Sequence, residues 1–503
     1  VFFILCPFYK DKYPILIIIG SVVMTVKFIS KNNIHGRVEA PENVLMEIRD
    51  KFTFEVPGAR FQPKYKMGMW DGKIRIFNLR DRLLYRGLEQ ELKTFCQDRD
   101  LEFETDLIPQ DQVTREDIDA FVETLNIPDK FERRDYQLNA MKDAINNNGR
   151  ALFLSATSSG KSFLIYILMR WYAKKTLILV PTVTLVHQMT DDFVDYGYDS
   201  EKIHKIMAGT EKWTDCPVTI STWQSAVDQG QEWFDQFDVV IGDEAHKFAS
   251  KSLISIMDRL VNCSVRLGFT GSLNGSKCHV MVLSGQFGPI MEVISTRELI
   301  DKGYASNMNI NVVLLKHPEN VCRAKKMDYA EEVSYLLGLD SRNKFICKLT
   351  SKLEGNTLIL FFKIDHGKLL YEMLKAKFPN RKVILIYGKT KGSERNEARA
   401  TVEDEEDAII VASYGTFSTG INIKRLHNLI FALAWKSQIT TLQSIGRGLR
   451  KGAGKEICNV FDLTDDISWK KKRNHTLNHA NERIRIYNEQ QLDYEISKIT
   501  LKY

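Results

Sequence analysis

The stretch ALFLSATSSGKSFLIYILMRW, residues 151–171, decides the fold. Ala151–Leu154 is apolar without alternation, the mark of a strand buried on both faces in a parallel sheet flanked by helices. The run breaks into small and hydroxylated residues and then into an apolar helix. Strand, small-residue loop, Gly160-Lys161-Ser162 and helix is the arrangement a nucleotide's phosphates need. Small side chains at Thr157, Ser158, Ser159 and Gly160 let backbone N–H groups surround the anion, and the helix N-terminus adds positive potential. Lys161 reaches the terminal phosphates and Ser162 offers a hydroxyl to Mg2+. Ser155 stands where the usual pattern has glycine. Taken alone, the segment is also compatible with a chance Gly-Lys-Ser at a helix start.

Further short apolar runs follow: Leu177–Val180, Val218–Ser221 and Val239–Ile241, then Ile310–Leu315, Thr357–Phe362, Lys382–Ile386, Ala408–Ala412, Leu429–Ala432 and Ile457–Asp462. They alternate with helical stretches, which predicts two successive parallel α/β blocks. The run ending at Ile241 leads into Gly242-Asp243-Glu244-Ala245-His246. Carboxylates at the C-terminal end of a buried strand lie where open α/β sheets bind ligands. Asp243 would hold Mg2+, Glu244 would polarise the attacking water, and His246 would sit near the second block. An ordinary acidic turn is the competing reading, and it weakens once Lys161 precedes the pair in the same block.

The chain has 503 residues, enough for about three domains at ~150 residues each. With 44% apolar and 27% charged residues, it is no collagen-like, disordered or coiled-coil sequence. The formal charge of +6 is too small to indicate a polyanionic partner by itself. Its eight cysteines form no CxxC pair, so neither a zinc ribbon nor a disulfide framework is suggested. Residues 1–23 are strongly apolar, but the longest run is shorter than the ~20 residues that span a bilayer. Met24 opens an ordinary sequence, so 1–23 reads as a leader outside the folded protein, and no membrane association is expected.

Together these segments resemble a superfamily-two helicase with a DEAH-type box. The resemblance runs from about Arg133 to Asp462, with RRDYQLNAM (133–141), VPTVTLVHQM (180–189), STWQS (221–225), FTGSL (269–273), FFKIDHGKLL (361–370), SYGTFSTGINI (413–423) and QSIGRGLRK (443–451) in the family's order. It implies ATP and Mg2+ as cofactors and an α/β fold of two tandem RecA-like parallel-sheet domains. It also implies that Gln137 contacts adenine and that Gln443 lies at the cleft between the blocks. Arg447 and Arg450 would cross that cleft to the γ-phosphate, where arginine fingers stabilise developing charge. Thr182, Thr222, Lys363, Gly388 and Thr416 are candidates to hold the phosphates of one nucleic-acid strand without reading sequence.

The implied layout is an N-terminal α+β nucleic-acid-binding domain over 24–114, RecA-like domains over 115–303 and 304–468, and a basic helical tail over 469–503. Within the first of these, residues 60–86 carry eight Arg/Lys against two Asp, interleaved with Phe61, Tyr65, Trp70, Phe77 and Tyr85. Cations interleaved with aromatics suit phosphate attraction plus base stacking, which nominates Arg60, Lys64, Lys66, Trp70 and Lys73. A basic strand face over an aromatic core is the alternative, and Trp70-Asp71-Gly72 suggests a tight hairpin. The tail either extends the nucleic-acid track or packs on the second block.

The run FTFEVPGARFQPKYKMGMWDGKIRIFN (52–78) resembles a recombination and repair helicase family of large tailed phages. That implies an ATP-dependent DNA helicase acting on branched DNA: junction migration, fork remodelling and unwinding of RNA–DNA hybrids. A monomer in the cytoplasm of a phage-infected bacterium, with phage recombination proteins as possible partners, is implied too. An RNA helicase and a non-catalytic nucleic-acid scaffold remain the alternatives.

Overall fold

The computed structural model describes residues 24–108, 112–273, 276–324, 327–388, 390, 405–418, 425–433, 444–446, 457–470 and 472–502. The apolar leader 1–23 lies outside the described residues.

The N-terminal strands are β1 (Thr25–Ser30), β2 (His35–Glu39), β3 (Thr53–Glu55), β4 (Lys73–Arg75), β5 (Leu83–Tyr85) and β6 (Glu102–Thr105). β5-β2-β1-β6 form a mixed sheet in which β1 is antiparallel to β2 and parallel to β6. Alternation decides its inner face: Val26 and Phe28 are buried while Lys27 between them is exposed. Helices Glu42–Lys51 and Glu89–Gln97 close that face with Leu45, Ile48, Leu92 and Phe95.

β3 and β4 form a separate antiparallel ribbon. Trp70-Asp71-Gly72 does not make a tight hairpin. The connection between the two strands holds a short helix, Pro63–Lys66, begun by proline at its first turn. Gly72, at φ +78°, turns the chain where any side chain would meet Ala59 and Tyr65.

The next strands are β7 (Arg150–Ser155), β8 (Thr176–Val180), β9 (Ile203–Ile206), β10 (Val218–Thr222), β11 (Val239–Asp243), β12 (Val265–Thr270) and β13 (Ile290–Ile294). They make a parallel sheet of order β13-β7-β12-β11-β8-β10-β9. Residues alternate between two helical layers. Phe153, Ile178 and Ile241 meet Leu164 and Leu168 on one side; Leu152, Leu177 and Val240 meet Phe234 and Met257 on the other. Burial on both faces is why these strands read as unbroken apolar runs.

β14 (Asn307–Lys316), β15 (Thr357–Phe361), β16 (Val383–Ile386), β17 (Ile409–Ser413), β18 (Asn428–Phe431), β19 (Ile457–Asp466) and β20 (Tyr494–Thr500) make a second parallel sheet. Its order is β16-β17-β15-β18-β19-β14-β20. Two RecA-like parallel sheets in tandem, preceded by a small α+β sheet, are the fold class expected from the sequence.

The tail packs on the second lobe, one of its two expected placements, but it is not helical throughout. It is helical only over His475–Glu489 and then supplies β20, the edge strand beside β14. Arg483 is buried and paired with Asp462, to which Tyr487 also donates at 2.8 Å. The helix start is held by the Glu332 carboxylate, which accepts from the backbone N–H of His475 and Thr476 at 2.8 and 2.7 Å. The tail is therefore part of the second lobe's packing.

Candidate nucleotide site and nucleic-acid track

β7 delivers the chain into the phosphate loop, and helix Lys161–Tyr172 leaves it. Gly160 starts that helix at φ +78°, and Ser158 also lies at φ +72°. Ser155 needs no glycine, because its φ is not positive. Its hydroxyl instead bonds the Ser159 hydroxyl at 2.6 Å across the loop. Gln137 is buried, and its amide donates to the carbonyls of Ser159 and Gly160 at 2.9 and 3.2 Å. Tyr136, not singled out in the sequence, donates to the same Ser159 carbonyl at 2.7 Å. The Arg134 guanidinium stacks 4.5 Å over Tyr304, which follows the last strand-and-helix pair of the first lobe.

β11 ends at Asp243, beside β12 and two strands from β7. Burial, and after it the neighbouring Glu244, push the Asp243 carboxyl up to about 6 against the pull of Lys161. Glu244 sits in the left-handed region at φ +53°, and its N–H donates to Asp243 Oδ1 at 2.9 Å. Its carboxylate lies 3.3 Å from His246 Nδ1. Burial lowers that imidazole to about 4, so it is neutral near pH 7. The same Nδ1 is 3.1 Å from Thr270 Oγ1 at the end of β12, and Thr270 donates to the Ser272 carbonyl at 2.8 Å. A continuous polar chain thus runs from Glu244 to Thr270-Gly271-Ser272. Lys161 Nζ lies 3.5 Å from the Ser155 carbonyl and faces Gly271, where an added Cβ would be 3.4 Å away.

Ser162 Oγ is 3.0 Å from the hydroxyl of Tyr196, the residue that ends helix Val183–Asp195. Tyr196 is buried among Phe131, Phe163 and Tyr166, and burial raises its phenol to about 12. No sequence pattern pointed to it: it is 34 residues from Ser162.

The second lobe reaches this site. Ser158 Oγ donates to the Gly446 carbonyl at 2.9 Å, and a Cβ added to Gly446 would lie 2.2 Å from Thr157 Cβ. Gly446 therefore presses its backbone against the phosphate loop. Gln443, Arg447 and Arg450 lie outside the described residues.

Thr182 caps its helix just after β8, and Thr222 closes β10. Lys363 follows β15 and donates to Ser334 Oγ at 3.0 Å. Gly388 follows β16, and Thr416 follows β17 with its hydroxyl 2.8 Å from Ser413 Oγ. All five sit at C-terminal strand ends, as the phosphate loop and Asp243 do. In the first sheet β7, β12 and β11 carry the candidate nucleotide groups, and β8 and β10 carry the strand candidates. In the second, the strand candidates share the neighbouring β16, β17 and β15.

On the N-terminal ribbon, Arg60, Lys64, Lys66 and Lys73 are all exposed. Phe61 is 67%, Tyr65 42%, Met67 69% and Met69 70% exposed, while Trp70 is half-buried and donates from Nε1 to the Lys73 carbonyl at 2.9 Å. Phe77, by contrast, is core, and Tyr85 reaches Asp258 of the first lobe. The five aromatics thus divide between a projecting surface and packing.

Known proteins agree with this architecture. Residues 23–106 match the family described as DNA helicase UvsW, N-terminal; residues 130–274 match the type III restriction enzyme res subunit; residues 341–452 match the helicase conserved C-terminal domain. The DNA 3'-5' translocase XPB2 of Sulfurisphaera tokodaii is 26% identical over 364 residues, 65% of this chain and 80% of the relative. A fragment of a putative HsdR subunit of a type I restriction enzyme from Vibrio vulnificus shares the fold, with TM-score 0.56 and 16% identity over 92% of this chain and 84% of that one. The crystal structure of T4 UvsW aligns with TM-score 0.50 and 34% identity, covering 95% of this chain and 100% of that one. The ATP-dependent DNA helicase uvsW of Enterobacteria phage T4 is 36% identical over 495 residues, 93% of this chain and 98% of the relative. By fold, motif order and end-to-end identity, the chain belongs to the UvsW family of superfamily-two helicases.

Proposed function

We infer that the protein is an ATP-dependent DNA helicase that works on branched DNA. The observation that carries the reading is the contact of Gly446 with the phosphate loop: a nucleotide held by that loop lies at the seam of two lobes. The donor set suits a metal-bound triphosphate. Lys161 and the loop N–H groups take the phosphates; Ser162 and Asp243 hold Mg2+, which neutralises phosphate charge. Glu244, fixed by its backbone turn and by His246, orients the attacking water. Arg447 follows directly on Gly446 in the chain and Arg450 stands four residues beyond it, and both are the candidates to meet the γ-phosphate from the second lobe.

A ligand shared by two lobes binds their closed arrangement more tightly than the open one and is released when hydrolysed. Each closure moves the strand contacts at Thr182 and Thr222 relative to those at Lys363, Gly388 and Thr416, which steps the lobes along phosphates. DNA rather than RNA is favoured by the match of residues 23–106 to the family described as DNA helicase UvsW, N-terminal, and the exposed cations and aromatics of that module suit nucleic-acid phosphates and bases at a branch point. Action as a monomer, on RNA–DNA hybrids as well, in the cytoplasm of a phage-infected bacterium alongside recombination proteins completes the proposal. Among the described residues, no helix is long and apolar enough to cross a membrane.

The test is ATPase stimulation and strand separation on a four-way junction, a fork, an R-loop, plain single strands and an RNA duplex. Branched DNA should stimulate most. Stronger stimulation by the RNA duplex would transfer the assignment to an RNA helicase.

A further inference from the structure

The N-terminal module is fastened to the first lobe along one seam. Tyr85 donates to Asp258 Oδ1 at 3.1 Å, and Asn33 Nδ2 donates to the Val261 carbonyl at 3.1 Å. Gly87 meets helix Lys277–Phe287 of the first lobe so closely that a Cβ would lie 2.1 Å from the Ser284 carbonyl oxygen. Beside this contact lies a cavity of about 290 Å³, lined by Arg86, Glu89, Lys93, Thr105, Asn147 and Arg150 among others. It is far from the nucleotide: Arg150 opens β7 and Ser155 ends it, so the cavity and the phosphate loop lie at opposite ends of a six-residue strand, roughly 20 Å long.

Cations outnumber carboxylates in the cavity lining, although Asp106 also faces Arg86 and Asp258 faces Arg266 behind it. Three cations line the cavity against the single carboxylate of Glu89. Behind them Arg266 is fully buried, its donors taken by the carbonyls of Gln286, Leu260 and Met257. Arg150 is 6% exposed, and it donates from Nη2 to the Asn33 carbonyl. Its Nη1, like Arg86 Nε, is buried with no acceptor among the described residues. Burial and the two neighbouring guanidiniums, Arg266 and Arg86, push the Arg150 guanidinium well down, whereas Glu89 rises through burial against the pull of Arg86, Lys93 and Arg150. Buried ionic groups are ordinarily paired, and arginine forks match the oxygens of phosphate.

We propose that this seam is a binding site for a phosphate-type oxyanion, held by Arg86, Lys93 and Arg150 between the N-terminal module and the first lobe. The group is either inorganic phosphate or a phosphate of a nucleic-acid backbone. Either would neutralise the seam and bind the module more firmly to the lobe that carries the phosphate loop.

The test is calorimetric titration of the full chain with inorganic phosphate at fixed ionic strength, with the nucleotide site filled by a magnesium complex of a non-hydrolysable ATP analogue. One phosphate should bind per chain. Arg86→Gln should weaken it about tenfold or more, the loss of a charge-assisted contact. Lys93→Glu, at an exposed position that folding tolerates, should do the same. No uptake by the unaltered chain, or equal uptake by both variants, overturns the site. A short DNA duplex that displaces the phosphate, with a salt dependence of duplex binding lowered by about one charge in Lys93→Glu, supports the site and assigns it to backbone phosphate. Phosphate uptake untouched by duplex supports the site and assigns it to the free anion.

Discussion

At Lys161 a single ammonium faces Asp243 and the Gly271 turn. Lys161→Ala should abolish ATP hydrolysis while DNA binding, measured by anisotropy, persists. Asp243 makes the same site pH-sensitive. Its folded-state carboxyl titrates near 6 instead of 3.8, so it is protonated, and a poor cation ligand, below that value. Steady-state ATPase at low Mg2+ should therefore fall as pH drops through about 6, and added Mg2+ should move the limb to lower pH because metal and proton compete. The stability linkage has the opposite sense. A raised pKa means the folded state binds this proton more tightly, so the contribution is full below 3.8 and lost as pH rises through about 6 in metal-free protein. Tyr196 adds a second lever on Ser162. Tyr196→Phe keeps the ring packing and removes the hydroxyl. It should raise the Mg2+ needed for half-maximal binding of a fluorescent ATP analogue by about threefold, the scale of one hydrogen bond, with little change in melting temperature. An unchanged Mg2+ requirement would make the contact incidental to the metal.

Among the elements, the ribbon β3–β4 and its helix Pro63–Lys66 show what an uncovered surface offers. Arg60, Lys64, Lys66 and Lys73 project with exposed Phe61, Met67 and Met69. Changing all four cations to glutamine should lower the slope of log affinity against log salt for DNA by roughly three to four, since each phosphate contact contributes about 0.9. A slope that stays put would remove the ribbon from the DNA track. The helix His475–Glu489 illustrates the reverse case. Arg483→Met strands the buried Asp462 carboxylate and should cost about 3–5 kcal/mol in chemical denaturation. The same contrast explains what the sequence made legible. Strands such as β8 and β11 are buried on both sides and announce themselves as apolar runs. β12 does not, because Arg266 interrupts VRLGFT, and only the tertiary structure supplies the three carbonyls that accept its protons. β20 alternates with charge because it lies at a sheet edge, so it merged with the helix before it. The phosphate loop and acidic pair are local in sequence and could be read directly. Tyr196 and Tyr136 act through partners far along the chain and left no pattern.

On the scale of the whole molecule, the second lobe meets the first at the phosphate loop, where Gly446 touches Thr157 and Ser158. The motor therefore depends on how closely the second lobe can approach the phosphate loop, and Gly446 sets that distance. Its backbone lies where no side chain fits: a Cβ would overlap Thr157 at 2.2 Å. Gly446→Val should hold the lobes apart with both nucleotide half-sites chemically intact. Because misplacement by about 1 Å can cost on the order of 10²-fold, kcat for DNA-stimulated hydrolysis should fall by about that factor. Nucleotide binding by the first lobe should change little by comparison. Thr157→Gly on the same chain removes the atoms in the way, so the double variant should recover part of the loss, whereas two independent defects would multiply. Full activity in Gly446→Val would show that hydrolysis does not require this approach, and the two-lobe motor would lose its geometric basis.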